Sequence, residues 1–162
     1  KKEATLCFLV EQDPDGKISA IWLAKKKRKI GKGKWNGYGG KVEPGQTLEE
    51  CLITELRDEA HIDLDLSSVT KVGIITYNKQ QAEFPVFPVH TYLATRWTGT
   101  IQESTEMGPP KRFPVEEIPY DEMLAADKYI LPRALNGERF NANVHYQNDG
   151  SLMCDPEILP KH

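Results

Sequence analysis

The sequence predicts one α/β domain over residues 1–162, with a mixed sheet and helices packed against it. Two observations predict this. Short apolar runs of strand character lie both before and after a strongly helical internal segment, which favours a mixed sheet over two separate units. No linker, repeat or low-complexity tract divides the 162 residues, a length suited to one domain with a real core.

The elements follow in order. Ala4–Val10 (ATLCFLV) is an apolar run of strand length. Asp13-Pro-Asp-Gly16 carries turn chemistry, and Lys17–Lys26 (KISAIWLAKK) reads as the second arm of a hairpin. The glycine-rich stretch 31–45 (GKGKWNGYGGKVEPG) reads as an irregular loop with short extended pieces. Thr47 to His61 has helical periodicity. Residues 69–78 (VTKVGIITYN) and 84–97 (FPVFPVHTYLATRW) read as strands. Pro85 and Pro88 suggest an edge or bulge near the start of the latter. Leu124–Leu135 is a second helix, stopped by Asn136-Gly137. The last segment alternates around Asn148-Asp149-Gly150 and reads as a terminal hairpin.

Composition removes several classes of function. A net charge of -3 argues against a generic nucleic-acid binder. Cys7, Cys51 and Cys154 are odd in number and widely spaced, with no CxxC. That argues against a disulfide framework or a cysteine zinc site and suits a reducing cytoplasm. No apolar run approaches the roughly 20 residues that span a bilayer. No leader pattern opens the chain, and its start on Lys1 without Met fits a trimmed native N-terminus.

The helix over Thr47–His61 breaks the amphipathic rule in one place. On a helical wheel Leu48, Cys51, Leu52 and Leu56 share one side, and Thr47, Glu50, Thr54, Arg57 and His61 share the other. Glu55 and Glu59 continue the apolar line, and Asp58 flanks them. The i, i+3, i+4 spacing puts these carboxylates within reach of one point. Their charges repel and oppose the helix dipole. One reading is a solvated acidic face with ordinary salt bridges. The other is a hard divalent cation on oxygen ligands, Mg²⁺ first and Mn²⁺ second.

The remaining candidates each have a bland alternative. Lys25–Lys34 holds seven basic residues in ten, which reads as a nucleic-acid patch, a localisation signal or solvated lysines. Asn36 is a turn residue or a ligand contact, since its amide both donates and accepts. Asp127 is a helix N-cap or a ligand contact. The four histidines are scattered, and Trp35 anchors its loop.

The stretch from Gly40 to Ile62 resembles the Nudix box. Gly40 opens the pattern, and Glu55, Leu56, Glu59 and Ile62 match it directly. Asp58 replaces a Glu. Gln46, Thr54 and His61 stand where the family carries Glu, Arg and Gly. KWNGYGGKVEPG, STEMGPPKRFPVEEIPYDEM and RFNANVHYQNDGSLMCD extend the likeness, in order, to the MutT-type subgroup that includes the animal oxidised-purine nucleoside triphosphatases.

The resemblance implies the Nudix fold, a mixed sheet sandwiched between helices. It implies Mg²⁺-dependent pyrophosphohydrolysis of a nucleoside triphosphate, with an oxidised purine such as 8-oxo-dGTP as substrate. The alternatives are another nucleoside diphosphate derivative as substrate, or a catalytically impaired nucleotide-binding regulator. It implies Glu55, Asp58 and Glu59 as metal ligands, joined by the Gly39 carbonyl and Glu106. Catalysis then rests on Glu59, Glu55 and Glu106, with Glu106 helping to position or deprotonate water. Lys26 falls near the phosphates, Asn36 and Asp127 read the base, and Ile30 and Phe87 wall the pocket, together with Tyr77 and Leu124. The expected state is a cytoplasmic monomer with a small-molecule nucleotide substrate, no stable nucleic-acid partner and no membrane. Gln46 and Thr54 replace both ends of a family ion pair, which costs less than losing one end. His61 is tolerated at a helix end because His visits the left-handed region more than most residues.

Overall fold

The computed structural model describes residues 2–82 and 86–161. In chain order the elements are β1 (Ala4–Gln12), β2 (Ile18–Lys25), β3 (Trp35–Asn36), β4 (Tyr38–Lys41), α1 (Leu48–Ala60), β5 (Asp63–Leu64), β6 (Val69–Asn78), β7 (Val86–Ala94), β8 (Trp97–Thr98), β9 (Lys111–Pro114), α2 (Asp127–Leu135), β10 (Phe140–His145) and β11 (Glu157–Pro160). The main sheet runs β11-β10-β6-β7-β1-β2-β3, with β4 also on β1 and β9 also on β2. It is mixed: β1–β7 and β10–β6 are parallel, and the other pairings are antiparallel.

One feature of register positions the site. β1 pairs with β2 over Leu9–Gln12 but with β4 over Ala4–Cys7. β2 therefore peels away, and β4 slides into the vacated edge. This brings Gly39 and Gly40 beneath α1, opposite Leu6 and Thr5. The sheet has two buried faces, set by alternation along β1. Phe8 and Val10 pack with Ile130, Leu131 and Ala134 of α2. Cys7 and Leu9 pack with Leu52, Leu56 and Ala60 of α1.

Both ends of α1 are closed by named residues. Thr47 accepts from the Glu50 N–H and Glu50 reaches back to the Thr47 N–H, a reciprocal capping box. At the other end His61 takes φ 61° and ψ 36°, and its N–H bonds the Arg57 carbonyl at 3.1 Å. The left-handed His61 is therefore real.

The second helix differs from its expected bounds. It starts at Asp127, not Leu124. Tyr120–Glu122 form a single 3₁₀ turn, and the Ala126 N–H goes to the Tyr146 hydroxyl at 3.4 Å. Pro88 lies one residue before the β1 ladder begins at Val89, so the strand is still an edge on that side. Pro85 lies outside the described residues. The bulge falls in β6, between Lys71 and Gly73. The terminal turn forms at Gln147–Ser151, but the strand that pairs with β10 is delayed to Glu157. Among the described residues, no helix is long and apolar enough to cross a membrane.

Candidate functional site

Glu55 and Glu59 lie one turn apart on α1 and face β4. The Glu55 carboxylate sits directly over Gly40: a Cβ there would lie within 2.7 Å of both its oxygens. A Cβ on Gly39 would overlap the Thr5 carbonyl oxygen, so both glycines are required by close approach. The Gly39 N–H donates to Glu59 Oε1 at 3.3 Å. It therefore points away from β1 and toward the carboxylates. In an extended strand the carbonyl of the same residue leaves on the same side as its N–H.

The electrostatics of this pair follow from where it sits. Burial pushes the Glu59 carboxyl up to about 7, and neighbouring Glu55 and Glu106 push the same way. The Gly39 N–H and Lys26 oppose the shift. Glu55 is also raised, first by burial and then by Asp58. Two half-buried acids thus share a site in which both cannot comfortably ionise. Asp58 is on the exposed flank of the helix, beside a cleft of about 490 Å³ lined by Lys27, His61, Glu103, Ser104 and Thr105. Among the described residues, no three metal-binding side chains are already gathered around one point. The donors are hard oxygens whose mutual repulsion a divalent cation would relieve, so the residues fit such an ion.

Glu106 joins this cluster through the backbone. The Lys27 N–H bonds the Glu106 carbonyl at 2.9 Å, and the Gly108 N–H bonds the Lys25 carbonyl at 2.8 Å. The end of β2 is thereby zipped to residues 106–108. Glu106 meets the Arg28 guanidinium at 3.5 Å, and Lys27 meets Glu103 at 2.6 Å. Lys26 lies close enough to stabilise the Glu59 charge. The basic run is therefore split: Lys25, Lys27 and Arg28 face carboxylates, whereas Ile30, Lys29 and Lys32 form an exposed tip.

A second centre lies on the opposite face of the sheet. Asp127 is 6% exposed, and its Oδ2 has no hydrogen-bond partner among the described residues. The α2 N-cap is Ala126, with no side-chain cap, so Asp127 is not a helix cap. Burial raises its carboxyl to about 7, against a backbone hydrogen bond at Leu124. Tyr77, Tyr120 and Tyr146 all feel its charge. Tyr77 and Tyr146 stack with centroids 6.0 Å apart. Phe87 stands opposite Tyr77 across β6–β7, hence on the same face.

The other predicted residues are less converged. Asn36 lies on β3, not in a turn, and its Oδ1 accepts the Gly37 N–H at 2.8 Å. Trp35 beside it makes an edge contact to Phe113 at 5.0 Å and lies under Lys25, which anchors the loop as expected. Ile30 is 73% exposed at the loop tip. Behind it, a Cβ on Gly31 would sit 3.8 Å from Leu124, so the loop leans toward the approach to α2. Gln46 does not reach toward Thr54; its Oε1 accepts the Glu43 N–H at 2.9 Å and closes the turn before α1. Sequence reading missed Tyr120, Tyr146 and the contact of Arg28. Their partners are distant in the chain, and no local pattern marks them.

The NUDIX domain family matches residues 1–134. The chain is 35% identical over 127 residues to the oxidized purine nucleoside triphosphate hydrolase of Danio rerio, covering 78% of this chain and 79% of that protein. It is 34% identical over 137 residues to the mouse (Mus musculus) protein of the same name, covering 82% and 83%. The mutator MutT protein of Bacillus halodurans superposes with a TM-score of 0.80 over the whole of both chains at 24% identity, a likeness of fold.

Proposed function

The chain belongs to the NUDIX family, and on that premise we propose that it is a pyrophosphohydrolase of oxidised purine nucleoside triphosphates. The observation that carries the reading is the half-buried Glu55–Glu59 pair against Gly39 and Gly40. Support for the substrate comes from the names of the fish and mouse relatives.

The family uses a divalent cation, and Mg²⁺ is our assignment, with Mn²⁺ as a substitute. Glu55, Asp58, Glu59, Glu106 and the Gly39 carbonyl would hold it. When bound, such an ion neutralises phosphate oxygens and lowers the pKa of coordinated water. Glu59, with Glu55, accepts the proton of the attacking water. Glu106 positions the water. Lys26 faces the polyphosphate. Water adds to an internal phosphorus, the bond to its bridging oxygen breaks, and nucleoside monophosphate and pyrophosphate leave.

Asn36 and Asp127 read the base. A protonated Asp127 offers a donor that an ionised one cannot. Ile30 and Phe87 supply apolar wall. Leu124 and Ala126 carry neither a stacking ring nor a second acid, so selectivity for the oxidised base is expected to be modest. We place the activity in cytoplasmic sanitisation of the nucleotide pool, which protects DNA, by a monomer without a stable nucleic-acid partner.

The test is product analysis with 8-oxo-dGTP and Mg²⁺. Monophosphate plus pyrophosphate is expected. Release of orthophosphate, or no turnover of any purine triphosphate tried, would overturn the reading.

A further inference from the structure

We propose that Arg28 is an exchangeable counter-ion: it neutralises Glu106 and transfers to the substrate's polyphosphate when a cation claims that carboxylate. The inference rests on the metal-dependent reading above. Four observations carry it. Arg28 makes the one ion pair recorded among the described residues to a carboxylate of the acidic cluster, at 3.5 Å. Its partner Glu106 is largely covered, whereas the guanidinium is 57% exposed and so free to swing. The pairing is registered by backbone, since the Lys27 N–H on the Glu106 carbonyl and the Lys26–Met107 bridge fix the two segments side by side. Lys26, two residues before Arg28, already lies near Glu59 and so marks the same loop as the cationic wall of the cluster.

The physics favours exchange over a permanent bridge. A partly exposed single-contact pair is cheap to break. A divalent ion outcompetes a guanidinium for a hard carboxylate oxygen, because it brings twice the charge to a shorter distance. The released guanidinium is left beside the site where the most acidic part of the substrate arrives. Its planar fork matches phosphate oxygens better than it matches a single carboxylate oxygen at 3.5 Å. Lys27 is built differently. It pairs with Glu103 at 2.6 Å, a carboxylate outside the Glu55, Asp58, Glu59 and Glu106 set, in the cleft that Asp58 also lines.

The two halves of the exchange make predictions of opposite sign. Arg28→Gln removes the competitor, so Mn²⁺ measured by paramagnetic resonance without nucleotide should bind about threefold tighter. The same variant loses a phosphate partner, so KM for the triphosphate at saturating Mg²⁺ should rise about tenfold or more. Arg28→Lys puts a competing cation back, so metal affinity should return most of the way to the weaker wild-type value while little of KM is recovered. Lys27→Gln removes equal charge one residue away and should leave both within about twofold. Equal metal effects in Arg28→Gln and Lys27→Gln would mean simple electrostatics and overturn the exchange. So would unchanged metal affinity, or unchanged KM, in Arg28→Gln. A wild-type chain that binds no Mn²⁺ would overturn the metal-dependent reading itself, and the exchange with it.

Discussion

Among the described residues two carboxyls are held near pH 7, Glu59 on one face of the sheet and Asp127 on the other; burial is the largest cause for both, and what is added to it differs. Glu59 is half-buried among like charges, with a backbone N–H and Lys26 in opposition. Asp127 is deeply buried beside tyrosines, which are neutral at that pH, and among the described residues no cation or second carboxylate contributes to its shift. The difference separates two kinds of site. The α1 cluster stores repulsion that a cation would relieve. Asp127 at the start of α2 carries a desolvation that a hydrogen-bond acceptor on a ligand would relieve. A similar pKa therefore conceals different surroundings, like charges beside burial in one place and burial among tyrosines in the other.

The sharpest way to break this comparison is Glu59→Gln. The change keeps shape but removes the anion. A loss of at least about a hundredfold in kcat is expected, with the fold intact by circular dichroism. Near-normal turnover at saturating Mg²⁺ would remove Glu59 from the chemistry.

Asp127→Asn should show the contrasting pattern. Its carboxyl sits near 7 when folded and near its ordinary 3.8 when unfolded, so the native state holds the proton more tightly. The stability from this group is full below about pH 4, falls as pH rises, and levels off above about 7. The amide does not titrate. Relative to Asp127→Asn, the wild type should lose roughly 2–4 kcal/mol between those limits, measured by urea unfolding at stepped pH. In activity, the preference for 8-oxo-dGTP over dGTP should fall about tenfold, chiefly through KM, because the base lies away from the reacting phosphorus. Unchanged kcat/KM for 8-oxo-dGTP, dGTP, 2-hydroxy-dATP and dATP would detach Asp127 from the base.

The acidic helix was the most legible part of the chain. Its apolar line, its acids and both of its ends can be read from local spacing, down to the left-handed His61. Its setting was not legible. The sliding of β4 into the edge left by β2 is a long-range event, and it is what brings Gly39 and Gly40 under the carboxylates. The second centre shows the same limit. Leu124–Ala126 have a helix-like apolar pattern, but a tyrosine from beyond β10 takes the Ala126 N–H, and the helix starts later. The tyrosines around Asp127 come from three separate segments. The short strands β5, β8 and β9 are too brief to leave a periodic signal.

The smallest expected effect concerns Gln46 and Thr54. If they replace an ion pair jointly, Gln46→Glu and Thr54→Arg should each gain little cation affinity alone. Together they should exceed the sum of the singles by about 0.5–1.5 kcal/mol. Because Gln46 now caps the Glu43 N–H, the single Gln46→Glu is expected to be neutral or mildly harmful. Strict additivity in calorimetric Mg²⁺ titrations would leave the α1 site indifferent to that pair.

The comparison is tested most directly by following the carboxyl carbons of Glu59 and Asp127 in ¹³C-labelled protein as pH rises, with and without saturating Mg²⁺. Without the cation, both should titrate near 7. With it, Glu59 should fall by more than about one unit, while Asp127 stays within a few tenths. If Mg²⁺ moves Asp127 as far as Glu59, or moves neither, the two carboxyls do not divide the work between cation and base.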